Sequence, residues 1–291
     1  MSFRSGFSRR RFLASSPILL LAPRLELLAA EAVSQNPEPI IDIQQHTNYS
    51  GRTNEQLIAH QLAMGVTQTI LLPAGRLYGL AAQCGGNQTV VDLAGEHPKD
   101  YVYFANEVSD LPEAREEIEK YLKRGARGIG EQKFHVEVDS AAMEIIYKIA
   151  AEHQVPVLMH FQHDTYNMGI ERMPRILEKH PTVNFLGHAQ TWWANIDKDH
   201  KDQKVLYPKT KVTPGGITDH LLSDYPNMYG DMSAGSGLGA LIRDEEHARG
   251  FLDRHQDKLL FGSDCNDTIG RGPGCQGGKP LPPSDACQPV K

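Results

Sequence analysis

From residue 40 onward the chain repeats one pattern: a short apolar run, then a longer stretch in which apolar positions recur at helical spacing. The first kind reads as a buried strand, the second as an amphipathic helix. Strands are expected at Ile40–His46, Thr67–Leu72, Tyr101–Ala105, Arg127–Lys133, Pro156–His160, Thr182–His188, Asn227–Ser233 and from Lys258. Helices are expected between them at Asn54–Gly65, Gly85–His97, Pro112–Gly125, Ser140–His153, Ile170–His180, Gly216–Asp224 and Arg243–His255. Eight strands with seven intervening helices give the count of an α/β protein of the (β/α)8 TIM-barrel class. A doubly wound open sheet would need a glycine-rich phosphate turn after the first strand, and Gln45-His46-Thr47-Asn48-Tyr49-Ser50-Gly51 is not one.

The ends of these strands carry the chemistry. Ile40-Ile41-Asp42-Ile43-Gln44-Gln45-His46, Pro156-Val157-Leu158-Met159-His160 and Val183-Asn184-Phe185-Leu186-Gly187-His188 all finish in histidine, and Leu259-Leu260-Phe261-Gly262-Ser263-Asp264 finishes in a carboxylate. Parallel barrel strands deliver their C-terminal residues to one mouth, which is what gathering metal ligands requires. A buried histidine taken singly is as readily a satisfied core residue. Four such ends in one chain point to a site.

Composition adds bounds. With 40% hydrophobic and 23% charged residues in 291, the chain has an ordinary globular balance and enough length for one barrel domain, expected over 38–270. The first stretch stands apart. Ser8-Arg9-Arg10-Arg11-Phe12-Leu13 is a twin-arginine pattern, followed by a modest apolar run and the small-residue site Ala30-Glu31-Ala32. The run falls short of the ~20 apolar residues that span a bilayer, and Pro17 and Pro23 interrupt it. Residues 1–32 are expected to be a cleaved export signal, placing the mature chain in the periplasm or outside the cell. A disordered basic N-terminus or an uncleaved anchor is the alternative. Cleavage removes five arginines and two glutamates and takes the formal charge from -6 to -9. An acidic mature chain speaks against nucleic acid or an anionic membrane as partner. Cys84, Cys265, Cys275 and Cys287 have no C-x-x-C spacing, so packed thiols are expected, with a Cys265–Cys275 bridge as the alternative.

In this order, Ile-Asp-x-x-x-His, Pro-Val-x-x-His, Phe-Leu-Gly-His and Leu-Leu-Phe-Gly-Ser-Asp resemble the amidohydrolase-related TIM-barrel family of metal-dependent hydrolases and decarboxylases. The resemblance covers roughly residues 38–270. It implies a divalent ion, zinc by ligand type, held by His46, His160, His188 and Asp264, with Asp264, His188 and Glu131 as the groups that handle protons. The family's first strand usually ends Asp-x-His-x-His, which here falls on Asp42, Gln44 and His46. The first ligand is therefore a neutral amide. Glu131, at the end of the fourth strand, is placed to restore the ligand count; a rim carboxylate paired with a cation is the plain alternative. Lys133 shares its strand face.

Other positions carry less. His97, His153, His180 and His255 lie near helix ends, where a cation meets the helix dipole. His135 and His163 read as solvated loop histidines. Trp192 and Trp193 are candidates for a flat wall against a substrate, or else pack under the loop 194–214, itself a candidate lid. Arg76 and Arg271 are candidates to meet a substrate carboxylate. The tail 271–291 is expected to be irregular: Gln276 to Lys291 contains four prolines and no apolar period, so the closing helix is missing or very short. A homo-oligomer is one way to cover the first and eighth strands. The resemblance implies a metal-dependent hydrolase that cleaves a C–O or C–N bond in a small cyclic or carboxylate-bearing molecule. The alternatives are a decarboxylase of the same family and a binding protein whose metal site has decayed at Gln44.

Overall fold

The computed structural model describes residues 38–75, 84–267, 275–276 and 279–280. Ile40–Lys291 forms one compact unit. Its parallel strands are β1 (Ile41–Gln45), β2 (Gln68–Leu71), β3 (Tyr101–Tyr103), β4 (Ile129–Gln132), β5 (Val157–His160), β6 (Phe185–His188), β7 (Met228–Asp231) and β8 (Leu259–Leu260). Ladders run β1-β2-β3 and β4-β5-β6-β7-β8. Two seams join them. Ala105 bridges Ile129 in parallel between β3 and β4. The Ile43 amide donates to the Phe261 carbonyl and the Asp264 amide to the Gln44 carbonyl, each at 3.0 Å, which brings β8 round to β1. The eight strands thus form a closed barrel, and closure removes the exposed edges an open sheet would leave.

The helices are α1 (Asn54–Ala63), α2 (Asn87–Glu96), α3 (Ala114–Lys123), α4 (Ala141–His153), α5 (Met173–Lys179), α6 (Ala189–Ala194), α7 (Ile217–Asp224), α8 (Ala234–Ile242) and α9 (Glu245–His255). Their starts are written in the sequence. Thr53 and Gln56 form a reciprocal capping box at α1, and the Ser140 hydroxyl accepts from the Met143 amide at α4, satisfying amides that a helix start leaves unpaired. Two helices, α6 and α8, follow β6 and β7 where loops are expected. α8 reads Ala-Gly-Ser-Gly-Leu-Gly-Ala-Leu-Ile, and its glycines oppose helix by propensity. Packing overrides that, because α8 lies against α6 and a Cβ on Gly237 would stand 2.2 Å from the Met232 carbonyl oxygen.

Two apolar layers fill the molecule. The larger lies between strands and helices and includes Leu93, Ile118, Ile146, Phe185, Trp192 and Phe251. The smaller fills the barrel interior: Ile43, Leu72, Phe104, Leu158 and Leu186, flanked by Ile70, Tyr229 and Leu260. No β4 side chain enters it. Gly128 lies just before β4, and a Cβ there would come within 2.4 Å of the Phe104 ring, so glycine leaves the room that Phe104 fills. Above this plug the polar strand ends begin.

The seam between β1 and the segment after β8 is tied by a buried cation. Arg52, 1% exposed, donates to the Cys265 carbonyl at 2.7 Å, to the Gln45 side-chain oxygen at 2.5 Å and to the His46 carbonyl at 3.0 Å. Asp42 adds a second tie, accepting from the Ser263 amide at 2.9 Å and from its hydroxyl. Cys265 departs from expectation: it is disulfide-bonded rather than a packed thiol. Among the described residues no helix follows β8; the short strands β9 (Cys275–Gln276) and β10 (Lys279–Pro280) pair antiparallel. No described helix is long and apolar enough to cross a membrane. The candidate export signal, Arg76 and Arg271 lie outside the described residues.

Candidate metal centre

The bulge in β1 decides what reaches the mouth. Asp42 pairs with Thr69 but Gln45 with Leu71, so β1 spends an extra residue over this interval. Asp42 turns outward to Gln61 on α1 at 3.0 Å, and Ile43 joins the barrel interior. Gln44 and His46 then both face the centre. β4 carries a matching irregularity between Ile129 and Gln132, and Glu131 comes inward there. Its backbone is fixed by Asn106, whose side-chain amide donates to the Glu131 carbonyl at 2.7 Å and to that of Pro73 at 2.9 Å.

Five side chains converge. Glu131 stands among the three histidines: His160 Nδ1 lies 2.5 Å from Oε1, His188 Nε2 3.7 Å from Oε1, and His46 Nε2 3.5 Å from Oε2. Asp264 closes the other side, 3.4 Å from His46 Nε2 and 3.9 Å from His188 Nε2. Donor atoms of Glu131, His160 and His188 fall within 4.8 Å of one another. Asp264 holds its position with a φ of 46°, a left-handed conformation that Asp tolerates better than most residues. The structure therefore brings together His46, His160, His188, Glu131 and Asp264. It holds Gln44 beside them, with its side-chain nitrogen 3.4 Å from His188 Nε2.

The donor set fits a divalent ion. His46 Nδ1 lies 2.7 Å from the Leu72 carbonyl, which only accepts, so Nδ1 carries the proton in the neutral ring and the Nε2 lone pair faces the carboxylates. That is how metal-ligating imidazoles are oriented. Asp264 Oδ1 is buried and accepts no hydrogen bond among the described residues, an acceptor that a cation would satisfy. Burial pushes His188 down to about 4, against the pull of Glu131 and with the help of His160, so the ring is neutral at pH 7. Burial works against ionised Glu131, but the charge of Lys133 and the hydrogen bond from His160 outweigh it and hold the carboxyl well below its usual range. A neutral His188 beside an ionised Glu131 is a pairing that binds metal.

The mouth carries further groups. Lys133 lies 5.8 Å above the Tyr166 ring, and its charge acts on both Glu131 and Asp264. Tyr49 meets the His46 ring edge-on with centroids 4.9 Å apart. Behind His188 sit Asp231 and Ser233, both buried. Neither is among the candidate residues read from the sequence, although the strand-end rule applied to the seventh strand points to both. Burial raises Asp231 well above the usual carboxylate range, against two hydrogen bonds from Ser233.

Trp192 corrects an expectation. It is fully buried at 0% exposure and stacks on Phe161 at 5.9 Å, filling space that Gly187 leaves open. Trp193 donates from Nε1 to the Asp231 carbonyl at 2.9 Å. Both pack in the layer between strands and helices; neither forms a wall of the mouth. The following loop is pinned, with Asn195 and Gln203 exchanging side-chain amide hydrogen bonds at 2.8 and 3.0 Å and Arg243 reaching the Pro208 and Ala194 carbonyls. The outlying histidines have ordinary structural partners: His180 meets Glu144 at 3.1 Å, and His255 meets Asp219 at 2.6 Å.

The sequence profile of the amidohydrolase family matches residues 74–282, and the chain belongs to that family. Solved structures of low identity share its fold. An uncharacterised TIM-barrel protein of Bordetella bronchiseptica is 16% identical, with 80% of this chain and 86% of that one covered at a TM-score of 0.54. A probable 2-pyrone-4,6-dicarboxylic acid hydrolase of Acinetobacter baumannii, with citric acid bound, is 12% identical over 80% and 86% at 0.51. A dihydroxybenzoic acid decarboxylase of Polaromonas, with bound manganese and the inhibitor 2-nitroresorcinol, is 12% identical over 78% and 86% at 0.50. No protein of curated function matches the sequence.

Proposed function

We propose that this chain is a metal-dependent hydrolase acting on a C–O or C–N bond of a small cyclic or carboxylate-bearing molecule. The observation that carries the reading is the convergence of Glu131, His160 and His188 within 4.8 Å, with His46 and Asp264 against the same centre. His46, His160, His188, Glu131 and Asp264 would hold one divalent ion, and nitrogen with carboxylate oxygen suits zinc. When bound, such an ion lowers the pKa of water from 15.7 toward ~7 or polarises a substrate oxygen. Asp264, whose buried Oδ1 has no hydrogen bond among the described residues, would either face the ion or take a proton from the attacking water. Lys133 receives the substrate's carboxylate at the rim, where its cation already faces the site. The low exposure of Glu131 and His188, 1% each, keeps bulk water out of the centre.

Decarboxylation is the second reading. It is favoured by the same placement of Lys133, which would clamp a carboxylate against the centre, and by the fold relative named above, a decarboxylase with bound manganese. The partner in either case is a small molecule rather than nucleic acid. Protein folded in the cell and purified without chelator should carry about one divalent ion per chain, and His160→Ala should lose most of it, because few ligands remain. Assayed with small lactones and amides, the metal-loaded protein should release acid. Release of CO2 from aromatic carboxylic acids in place of hydrolysis would shift the assignment to the second reading. A chain with no stoichiometric metal would sink both.

A further inference from the structure

We infer that Ser233, backed by Asp231, is a positioning residue that locks His188 in the tautomer with its proton on Nδ1, so that His188 enters the centre as a ligand through Nε2 and not as a proton donor. The inference deepens the metal reading and rests on it for the ligand role; the tautomer itself is independent of any ion.

Around the outer face of His188, the Ser233 hydroxyl lies 2.9 Å from Nδ1, 2.9 Å from Asp231 Oδ2 and 3.0 Å from the Gln44 side-chain oxygen. A hydroxyl has one proton and two lone pairs. The Gln44 amide oxygen can only accept and claims that proton, shared with Asp231 when that group is ionised; in either form of Asp231 a Ser233 lone pair is left for an N–H from His188. On the inner face the Gln44 side-chain nitrogen stands 3.4 Å from Nε2. An amide nitrogen only donates, so Nε2 must offer a lone pair. Both faces of the ring demand the same tautomer.

Every member of this network is buried to 1% or less, so water does not compete. The backbone enforces it as well: the Ser233 amide donates to Asp231 Oδ1 at 2.9 Å. Gly262 makes the space, since a Cβ there would stand 2.6 Å from Asp231 Oδ1, 3.0 Å from the Ser233 Cβ and 3.2 Å from the Gln44 Cβ. The glycine of the Phe-Gly-Ser-Asp motif thus leaves room for the groups behind His188. Gln44, which replaces the family's usual first ligand, meets the Nε2 lone pair of His188 in this structure, and an ion bound at Nε2 would displace that 3.4 Å contact.

The test uses the full mature chain. Nitrogen-15 NMR of the histidine rings in metal-free protein at pH 7, with His188 assigned by loss of its signals in His188→Gln, should show a protonated Nδ1 and a bare Nε2. Ser233→Ala should release the ring into a mixture of tautomers and weaken zinc binding by ~10 to 100-fold, the usual scale for an outer partner of a ligand, while Ser233→Thr restores both. Circular dichroism of each variant guards against misfolding. A parent whose His188 carries its proton on Nε2 overturns the inference even if zinc binds. A parent with the expected tautomer, altered in Ser233→Ala, but with no affinity for zinc, manganese or cobalt sustains the tautomer lock and overturns the metal reading instead.

Discussion

Gln44 is the residue at which the chain breaks its family's pattern, and its surroundings give the substitution a meaning. A side chain left behind by decay would be expected to lose its partners. Gln44 is instead fully buried, with its nitrogen toward His188 Nε2 and its oxygen accepting from Ser233. An imidazole in its place carries its one donor and one acceptor on a rigid ring, with a different reach from the amide. Gln44→Ala should therefore weaken zinc binding by ~10 to 100-fold, as losses of outer partners do. Gln44→His should bring no gain. Metal content after dialysis, measured for both variants beside the parent, decides the matter, and turnover of the lactone and amide panel adds a second reading. An inert parent next to a Gln44→His variant that binds zinc and turns over substrate would mark the site as lapsed.

Among the elements, strand ends were legible in the sequence because a buried strand that stops at a polar residue is a local signal. His46, His160, His188 and Asp264 needed only the βα period to be placed at one mouth, and Glu131 followed from the same rule on β4. What escaped depends on contacts between elements. Trp192 looks like a free apolar surface until the stack on Phe161 and the gap at Gly187 are known. α8 has poor intrinsic propensity and exists because α6 gives it a face to bury. The bulge in β1, which turns Ile43 into the barrel interior and Gln44 to the centre, depends on pairing with β2 and has no signature of its own. Packing of this kind is testable at the fourth strand, where the interior is tight enough that only glycine fits beneath Phe104. Gly128→Ala should destabilise the fold by ~1–3 kcal/mol, the usual range for overpacking. Phe104→Leu in the same chain should recover part of the loss, since it removes the ring atoms that the new methyl meets. Urea midpoints of the parent, the single variant and the pair measure both effects, and additive losses would show that Gly128 is required for its backbone instead.

On the scale of the whole molecule, the barrel closes without a described helix after β8, and the closure rests on the seam itself. Arg52 and Asp42 bind β1 to the segment carrying Ser263, Asp264 and Cys265, so the ties that complete the barrel also fix the distance between His46 and Asp264. Such a centre is assembled only in the folded chain, because its ligands come from strands far apart in sequence. That bears on the N-terminus. A protein that would hold its ion through His46 from the first strand and Asp264 from beyond the last gains from acquiring metal where supply is controlled and then crossing a membrane already folded. The twin-arginine pattern at Arg9 and Arg10 is the type of signal read by a route that moves folded proteins. We expect export of the folded chain with cleavage near Ala32, and replacement of Arg9 and Arg10 by lysine should hold the protein in the cytoplasm with its metal content unchanged. Fractionation, with the N-terminal residue of the exported form read directly, tests both parts. Equal export of the lysine variant would remove the twin-arginine assignment, and a mature form that still begins at Met1 would remove the cleavage.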